Sequence, residues 1–565
     1  MKTIYQGALV LLLGVVASVA MAASPQPVRS TQGMVVSASD LVSAIGADIL
    51  AEGGNAVDAA VAVGFGLAVT FPSAGNLGGG GFMVIYRASD RHATTIDYRE
   101  TAPGAATENM YLDANDNVVE GASTDGHGSV AVPGTVAGLL YVLEQYGSMS
   151  RRQVMAPAIR LASRGFEVNW HLQESLKRSE ERLSLHPESR RLYLRDGNFY
   201  RVGEKLKQPE LATTLRRISR EGADAFYRGT IADQIVAEMQ AGGGLVSLQD
   251  LADYRVVERA PVRGTYRDYV ILSMPPPSSG GTVLVQMLNM MEPLDVAALG
   301  MLSSGYVHNA AEVMKRAFAD RAEFMGDPAF VDVPVKGLTA KAYAMERRAS
   351  ISPDSTIAAR DLGAGKPLPF ESPETTHFSI VDREGNAVSN TYTLNYSYGS
   401  GVTVRGAGFL LNNIMDNFAA KQGVPNGYGL IQGPANVIAP GKRPLSSMSP
   451  SIVLEGDEVR LVAGTPGGPT IINTVFQVIM NVLDFGMNAQ QAVNNPRFHH
   501  QWLPDEIQYE ADALVVDVQQ ALTQKGHALK ERGLIGDAQV IYIDPATGER
   551  QGGADPRRGG AAVGN

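Results

Sequence analysis

Apolar and polar positions along this chain recur with two different periods. From Ser39 to Ala51, and again from Ala56 to Val69, alanine, valine and leucine return at the three-and-four spacing of a helix. Between them stands Glu52-Gly53-Gly54-Asn55, a glycine suited to a helix C-terminus followed by an asparagine suited to an N-cap, which predicts a packed helix pair. Residues 151–240 keep the helical period but carry more charge (ESLKRSEERLSL, ATTLRRISREGADAFYRGTIADQIVAEMQ), as a solvated, mainly helical region should. MPPPSSGG at 274–281 is a rigid break before a further apolar helix from Thr282 to Met291.

From Thr375 the period shortens to two. In THFSIVD, Phe378 and Ile380 fall on one face and His377 and Ser379 on the other, a half-buried strand with Thr375 as its first residue. A turn at Arg383-Glu384-Gly385-Asn386 followed by AVSNTYTLN completes a hairpin, and SIVLEGDEVRLVAG at 451–464 repeats the strand, turn, strand form. Ile471 to Phe485 and Ala489 to Asn494 return to the helical period. Strands followed by helices predict an α+β arrangement of stacked sheets covered by helices. There is no repeat of fixed period, and the one segment of biased composition is the Gly-rich tail at 552–565.

Composition narrows the function classes. The 565 residues allow two to four domain-sized pieces or one large assembly, and 44% hydrophobic against 19% charged residues describes an ordinary globular chain. A formal net charge of −10 without clustered Lys and Arg argues against a nucleic-acid partner. The N-terminus, MKTIYQGALVLLLGVVASVAMAAS, joins one lysine, an apolar run from Ala8 to Val19 and a small-residue Ala20-Met21-Ala22 site. It reads as an export signal over residues 1–22 leading to the periplasm, with an uncleaved anchor as the alternative. No later stretch reaches about 18 apolar residues, so no stable membrane span is expected in the mature chain. The absence of cysteine removes disulfides, thiol catalysis and thiolate metal sites together.

Most candidate motifs have structural readings. GNLGGGGF at 75–82 has the look of a phosphate loop, yet no Lys-Ser or Lys-Thr follows and a helix precedes it, so close backbone packing explains it better. His499 and His500 are adjacent, point in different directions on any regular element and lack an HExxH partner, which leaves structural or surface roles and no metal site. No G-x-S-x-G elbow is present. Thr375 stays open in two ways. A Thr hydroxyl becomes a useful nucleophile when its own α-amino group is the base, which here requires scission of the Glu374–Thr375 bond; a Thr-Thr pair at a strand start is also ordinary for β-branched residues.

Several motifs in order resolve that choice by resemblance. GGNAVDAAVA, AGNLGGGGFM, DYRE, PGTVAG, MPPPSSGG, ETTHFSIVD, TYTLN, LLNNIMDNF, RPLSSMSPSIV, GTPGGPTII and NNPRFHHQWLPDE together resemble the γ-glutamyltranspeptidase family over essentially the whole chain after residue 22. The resemblance implies an N-terminal-nucleophile hydrolase, an αββα sandwich made as one precursor and self-cleaved between Glu374 and Thr375. Residues 23–374 would form the large subunit and 375–565 the small one. Thr375 would be nucleophile and, through its freed amine, base; Thr393 would orient its hydroxyl; Gly467 and Gly468 would offer backbone N–H groups to the oxyanion. Arg99, Ser446 and Ser447 would hold the α-carboxylate of a γ-glutamyl donor such as glutathione, Asn395 and Asn417 would face its amino side, and Tyr428 would be the lid. The acyl group would pass to water or an amino acid, with no cofactor or metal. Read from its neighbours alone, Arg99 could instead be a surface ion-pair partner of Asp97 and Glu100.

The chain departs from the family at two positions. Ile414 stands where relatives carry Gln or Glu, and Asn417 where they carry Asp, both facing the donor's α-ammonium. Their loss would favour acyl groups without the amine, as in glutaryl amides, unless Asn417, Asn395 and nearby Asp416 still satisfy the ammonium. A glutaryl-type amidase and an uncleaved, non-enzymatic binding protein are therefore the alternatives.

Overall fold

The computed structural model describes residues 25–367 and 377–565; the export-signal reading of 1–22 and the pair Glu374–Thr375 lie outside the described residues. Two seven-stranded sheets form the centre. One runs, edge to edge, Ala561–Gly564, Met34–Ser37, Phe378–Val381, Ala387–Thr393, Gly80–Arg87, His92–Tyr98 and Val257–Arg259. The other runs Val28–Ser30, Arg550–Ala554, Gln539–Ile543, Glu458–Gly464, Ser451–Glu455, Tyr269–Ser273 and Val262–Tyr266. Every pairing within both sheets is antiparallel.

Strand alternation builds the layers. Met34, Val36, Phe82 and Val84 meet Leu272, Ile452, Val462 and Ile541 between the sheets. Their neighbours Val35, Met83 and Ile85 point outward, with Phe378 and Ile380, onto the helices Asp40–Ala51, Ala56–Thr70, Thr135–Tyr146 and Arg151–Arg164. On the far side Val453, Leu461 and Val540 pack under Gly280–Met291, Ser304–Phe324 and Thr470–Leu483. The result is the expected αββα sandwich. His377 and Ser379 face inward, where both bond the carbonyl of Gln539 across the sandwich, at 3.1 and 2.9 Å. Complete burial pushes His377 down to about 3, so it is a neutral bridge.

The helix pair forms as its punctuation predicts. Gly53 takes φ +92°, and the Asn55 side chain accepts from the Val57 and Asp58 amides in a capping box. Ala56–Thr70 is buried along its whole length, which its small residues permit. Residues 151–240 form a run of helices whose apolar faces join the same outer cluster.

Two readings change. The Gly-rich tail is not a loose end: Arg550–Ala554 and Ala561–Gly564 are strands, one in each sheet. MPPPSSGG is more than a break, because its backbone pairs with Ser446 through Ser279 N to Ser446 O (3.2 Å) and Ser446 N to Pro277 O (3.1 Å). Among the described residues no helix is long and apolar enough to cross a membrane.

Candidate active site

A cavity of about 260 Å³ opens at one end of the sandwich, and nine of the described residues singled out from the sequence line it: Arg99, Thr393, Asn395, Asn417, Tyr428, Ser446, Ser447, Gly467 and Gly468. Thr393 closes the strand Ala387–Thr393 opposite Gly80. The Gly-rich run holds this strand end by contact, since a β-carbon on Gly79 would lie 1.9 Å from the Thr393 carbonyl oxygen. Asn395, at φ +81°, turns the chain so that its own N–H donates to Thr393 Oγ1 at 2.8 Å.

One wall is a chain of amides ending on a buried cation. Asn417 Nδ2 donates to Asn395 Oδ1 at 2.7 Å, and Asn417 Oδ1 accepts from Arg99 Nη2 at 2.9 Å. Arg99 is 0% exposed and donates through Nε to the Pro444 carbonyl. The surface ion-pair reading of Arg99 therefore fails: the Asp97 carboxylate pairs with Arg259 and Arg443, and takes only the backbone N–H of Arg99. Glu100 is buried 3.5 Å from Arg99 Nη1, and desolvation pushes its carboxyl up to about 7 although the guanidinium opposes this.

Ser446 and Ser447 sit on the segment paired to MPPPSSGG, and Arg321 locks it there. Its Nε donates to Ser279 Oγ (2.8 Å) and its Nη2 to Ser447 Oγ (3.1 Å). Gly467 and Gly468 lie between strand Glu458–Gly464 and helix Thr470–Leu483, at φ +143° and +58°. A side chain fits at neither: a β-carbon on Gly467 would lie 2.5 Å from Thr470 Oγ1, and one on Gly468 2.8 Å from the Tyr428 ring. Neither glycine N–H donates to a described residue, so both are available to a ligand at a helix N-terminus. Tyr428 covers this turn, its hydroxyl donating to the Asn395 carbonyl at 2.9 Å and its ring stacked on Tyr396 at 4.5 Å.

The structure corrects two expectations about the amino side. Ile414 does not line the cavity; it is fully buried among Ala131, Met415, Phe418 and Ile438. Asp416 does not line it either, because its two oxygens accept from Ser123 Oγ (2.8 Å) and Tyr396 Oη (2.9 Å). The cavity wall carries Arg99, Arg321, Arg532 and Arg558 and, among the described residues, no carboxylate. His499 and His500 are buried away from it, bonded to Asn473 and Gln501 and to Asp505, and no described cluster could hold a metal.

Arg321, Tyr396, Arg532 and Arg558 were missed in the sequence. Tyr396 follows TYTLN directly, and Arg321 falls on the apolar stripe of its helix with Ala310, Met314 and Ala317, an anomaly that could have marked it. Nothing local distinguishes Arg532 or Arg558 from other surface arginines.

Comparison with known proteins finds similarity over nearly the whole chain. The model of the family described as gamma-glutamyltranspeptidase matches residues 42–565. The chain is 48% identical to the glutathione hydrolase proenzyme of Escherichia coli (strain K12), over 94% of this chain and 91% of that one. Among solved structures, the cephalosporin acylase from Bacillus halodurans superposes with a TM-score of 0.84 at 28% identity, covering 97% and 98% of the two chains. The γ-glutamyltranspeptidase of Helicobacter pylori aligns at 45% identity and TM-score 0.59 over 60% of this chain and 97% of that one.

Proposed function

The chain belongs to the γ-glutamyltranspeptidase family of self-processing γ-glutamyl hydrolases and transferases, and from that premise we propose that Thr375, once freed from Glu374, is its nucleophile toward glutathione-like donors. The observation that carries this reading is the cavity, where a buried guanidinium with two serines and a pair of uncommitted glycine N–H groups face one volume. His377 packs on Gly464, three residues before Gly467, and Thr375 is two residues further, a reach of at most about 7 Å.

Maturation begins when Thr375 Oγ attacks the Glu374 carbonyl, an N-to-O shift gives an ester, and water releases residues 23–374 from 375–565. The two pieces stay together because each contributes strands to both sheets. In turnover the donor's α-carboxylate binds Arg99, Ser446 and Ser447, a bidentate geometry that guanidinium favours. Thr375 Oγ attacks the γ-carbonyl carbon while its proton passes to the α-amine. Gly467 and Gly468 N–H stabilise the oxyanion, donors of this kind contributing about 3–4 kcal/mol each. Collapse expels the leaving amine, which takes the proton, and leaves an ester that water or an amino-acid amine resolves. Thr393 orients the hydroxyl, and Tyr428 shields the ester. Residues 1–22 export the chain to the periplasm, testable by fractionation.

Intact mass of the purified protein tests the proposal. Two fragments split before Thr375, and one uncut chain for Thr375→Ala, are expected; wild-type protein that stays whole on long incubation would overturn it in favour of a binding module. A glutaryl-type amidase is the second reading, favoured by the amide at Asn417 and by the lack of a described carboxylate at the wall.

A further inference from the structure

No residue of the motif NNPRFHHQWLPDE lines the cavity, and its side chains act on another stretch of chain. Residues 350–365 lead from the helix Lys341–Ala349 toward Glu374, and their regular structure is limited to one short turn at Ala359–Asp361. So long a stretch with little structure of its own is uncommon in a compact domain and is usually functional. Its backbone is held by side chains instead. The Asp505 carboxylate accepts from the Ala359 N–H at 2.7 Å, and the Trp502 indole N–H is shared between the carbonyls of Ala359 and Leu362, at 2.9 and 3.1 Å. Lys525 accepts the Thr356 N–H on its own carbonyl at 2.8 Å and donates Nζ to the Pro353 carbonyl at 2.6 Å.

The helix Ser304–Phe324 grips the same strap from its other side. Lys315 Nζ donates to Thr356 Oγ1 (2.6 Å) and to the Ile357 carbonyl (2.7 Å), and Asp320 accepts from the Gly365 N–H (2.7 Å). Asp505 joins the two sides, because its second oxygen lies 3.4 Å from Lys315 Nζ and 3.3 Å from His500 Nε2. Trp502 sits at φ +69°, a conformation that bulky residues adopt only where the surroundings enforce it. Its own N–H is turned onto His500 Nδ1 at 3.1 Å, and its indole onto the strap.

We propose that Trp502 and Asp505 are positioning residues for self-cleavage, fixing the chain ahead of Glu374 while the strand Phe378–Val381 fixes it beyond Thr375. The inference rests on the reading of Thr375 as nucleophile. These contacts cross the scission point: the strap belongs to residues 23–374, whereas Trp502, Asp505 and Lys525 belong to 375–565. In the step they serve, Thr375 Oγ bonds to the Glu374 carbonyl carbon, the C–N bond breaks and the hydroxyl proton goes to the freed amine. Water then displaces Oγ, leaving the Glu374 carboxylate and the restored hydroxyl. A chain fixed on both sides of the reacting bond samples fewer arrangements than one fixed on a single side, so the hydroxyl and the carbonyl meet more often. Neither Trp502 nor Asp505 lines the cavity, so turnover after cleavage does not call on them.

The test follows the newly synthesised full chain, made by cell-free translation, from intact to cleaved on denaturing gels. Trp502→Phe, which keeps a ring and loses the donor, and Asp505→Ala should each slow cleavage about threefold, and the double variant about tenfold, as the loss of one and then two hydrogen bonds implies. Once cleaved, the variants should match wild type in kcat and KM for γ-glutamyl-4-nitroanilide, whereas a general distortion of the fold would lower turnover as well. Asp505→Asn still offers an oxygen to the Ala359 N–H and should restore most of the cleavage rate. A double variant that cleaves within about twofold of wild type overturns the inference. So does a loss of turnover equal to the loss of cleavage, and so does Asp505→Asn as slow as Asp505→Ala, since charge beside Lys315 and His500 would then be what matters. A wild-type chain that stays whole would instead sink the nucleophile assignment, and this inference with it.

Discussion

Asn417→Asp should convert the amino side of the cavity from neutral to anionic. In the native structure the Asn417 amide is committed twice, accepting from Arg99 at 2.9 Å and donating to Asn395 Oδ1 at 2.7 Å. A carboxylate keeps the first contact and loses the second, leaving one oxygen opposite Asn395 Oδ1. Two acceptors facing each other call for a cation between them, and the α-ammonium of a γ-glutamyl donor supplies it. Replacing a neutral hydrogen bond to that ammonium by a charge-assisted one gains about 1–2 kcal/mol, or roughly 5- to 30-fold in kcat/KM. A glutaryl donor has no ammonium and meets the new charge unpaired, so its kcat/KM should fall. Steady-state kinetics on γ-glutamyl- and glutaryl-4-nitroanilide read this directly: the ratio of the two should rise about tenfold or more. A ratio that is unchanged or lower would refute the claim that Asn417 faces the amine.

Other perturbations test neighbouring parts of the argument. Ile414→Gln should lower stability by about 1–3 kcal/mol, from an unsatisfied amide in an apolar cluster, while moving the donor ratio by less than about twofold; a large ratio change in kinetics would put this residue back in the site. Gly468→Ala, forced against the Tyr428 ring, should cut kcat about a hundredfold with little change in KM, as loss of an oxyanion donor does; a KM effect alone would contradict that role. Glu100, raised to about 7 by burial, binds a proton in the folded state that the unfolded chain has already released above about 4.5, so its contribution to stability is full below about 4.5 and is lost as pH rises through 7. Glu100→Gln should therefore flatten the decline in unfolding free energy between pH 5 and pH 7.5 relative to wild type; identical slopes would mean that the carboxyl ionises freely.

Much of this protein is legible without coordinates because short-range patterns report short-range structure. The period-two run around Phe378 and Ile380, the capping residue Asn55 and the turn at Gly385 each act within a few residues; the helix and the turn form where their patterns put them, while the strand spans Phe378–Val381 and is buried on both faces instead of half-buried. Nine of the residues carried over by family resemblance line one cavity, although hundreds of positions separate Arg99 from Gly468. Where the reading failed, the missing information was direction. Ile414 and Asn417 are three residues apart, yet on the tight turn Ile414–Asn417 one side chain enters the apolar cluster and the other the cavity.

By itself, then, the sequence determined the alternating layers, the helix boundaries and, through its ordered motifs, the family and the residues at stake. Only the tertiary structure decided which polar atoms are already spent: Asp416 on Ser123 and Tyr396, Asn417 on Arg99 and Asn395, Arg321 on the hydroxyls of Ser279 and Ser447. It also decided that Arg532 and Arg558 meet Arg99 around one volume, and that the Gly-rich tail threads both sheets. Sequence periodicity records which face a side chain leaves from. Hydrogen bonding and charge depend on what arrives from distant segments, and that is set only when the two sheets close on each other.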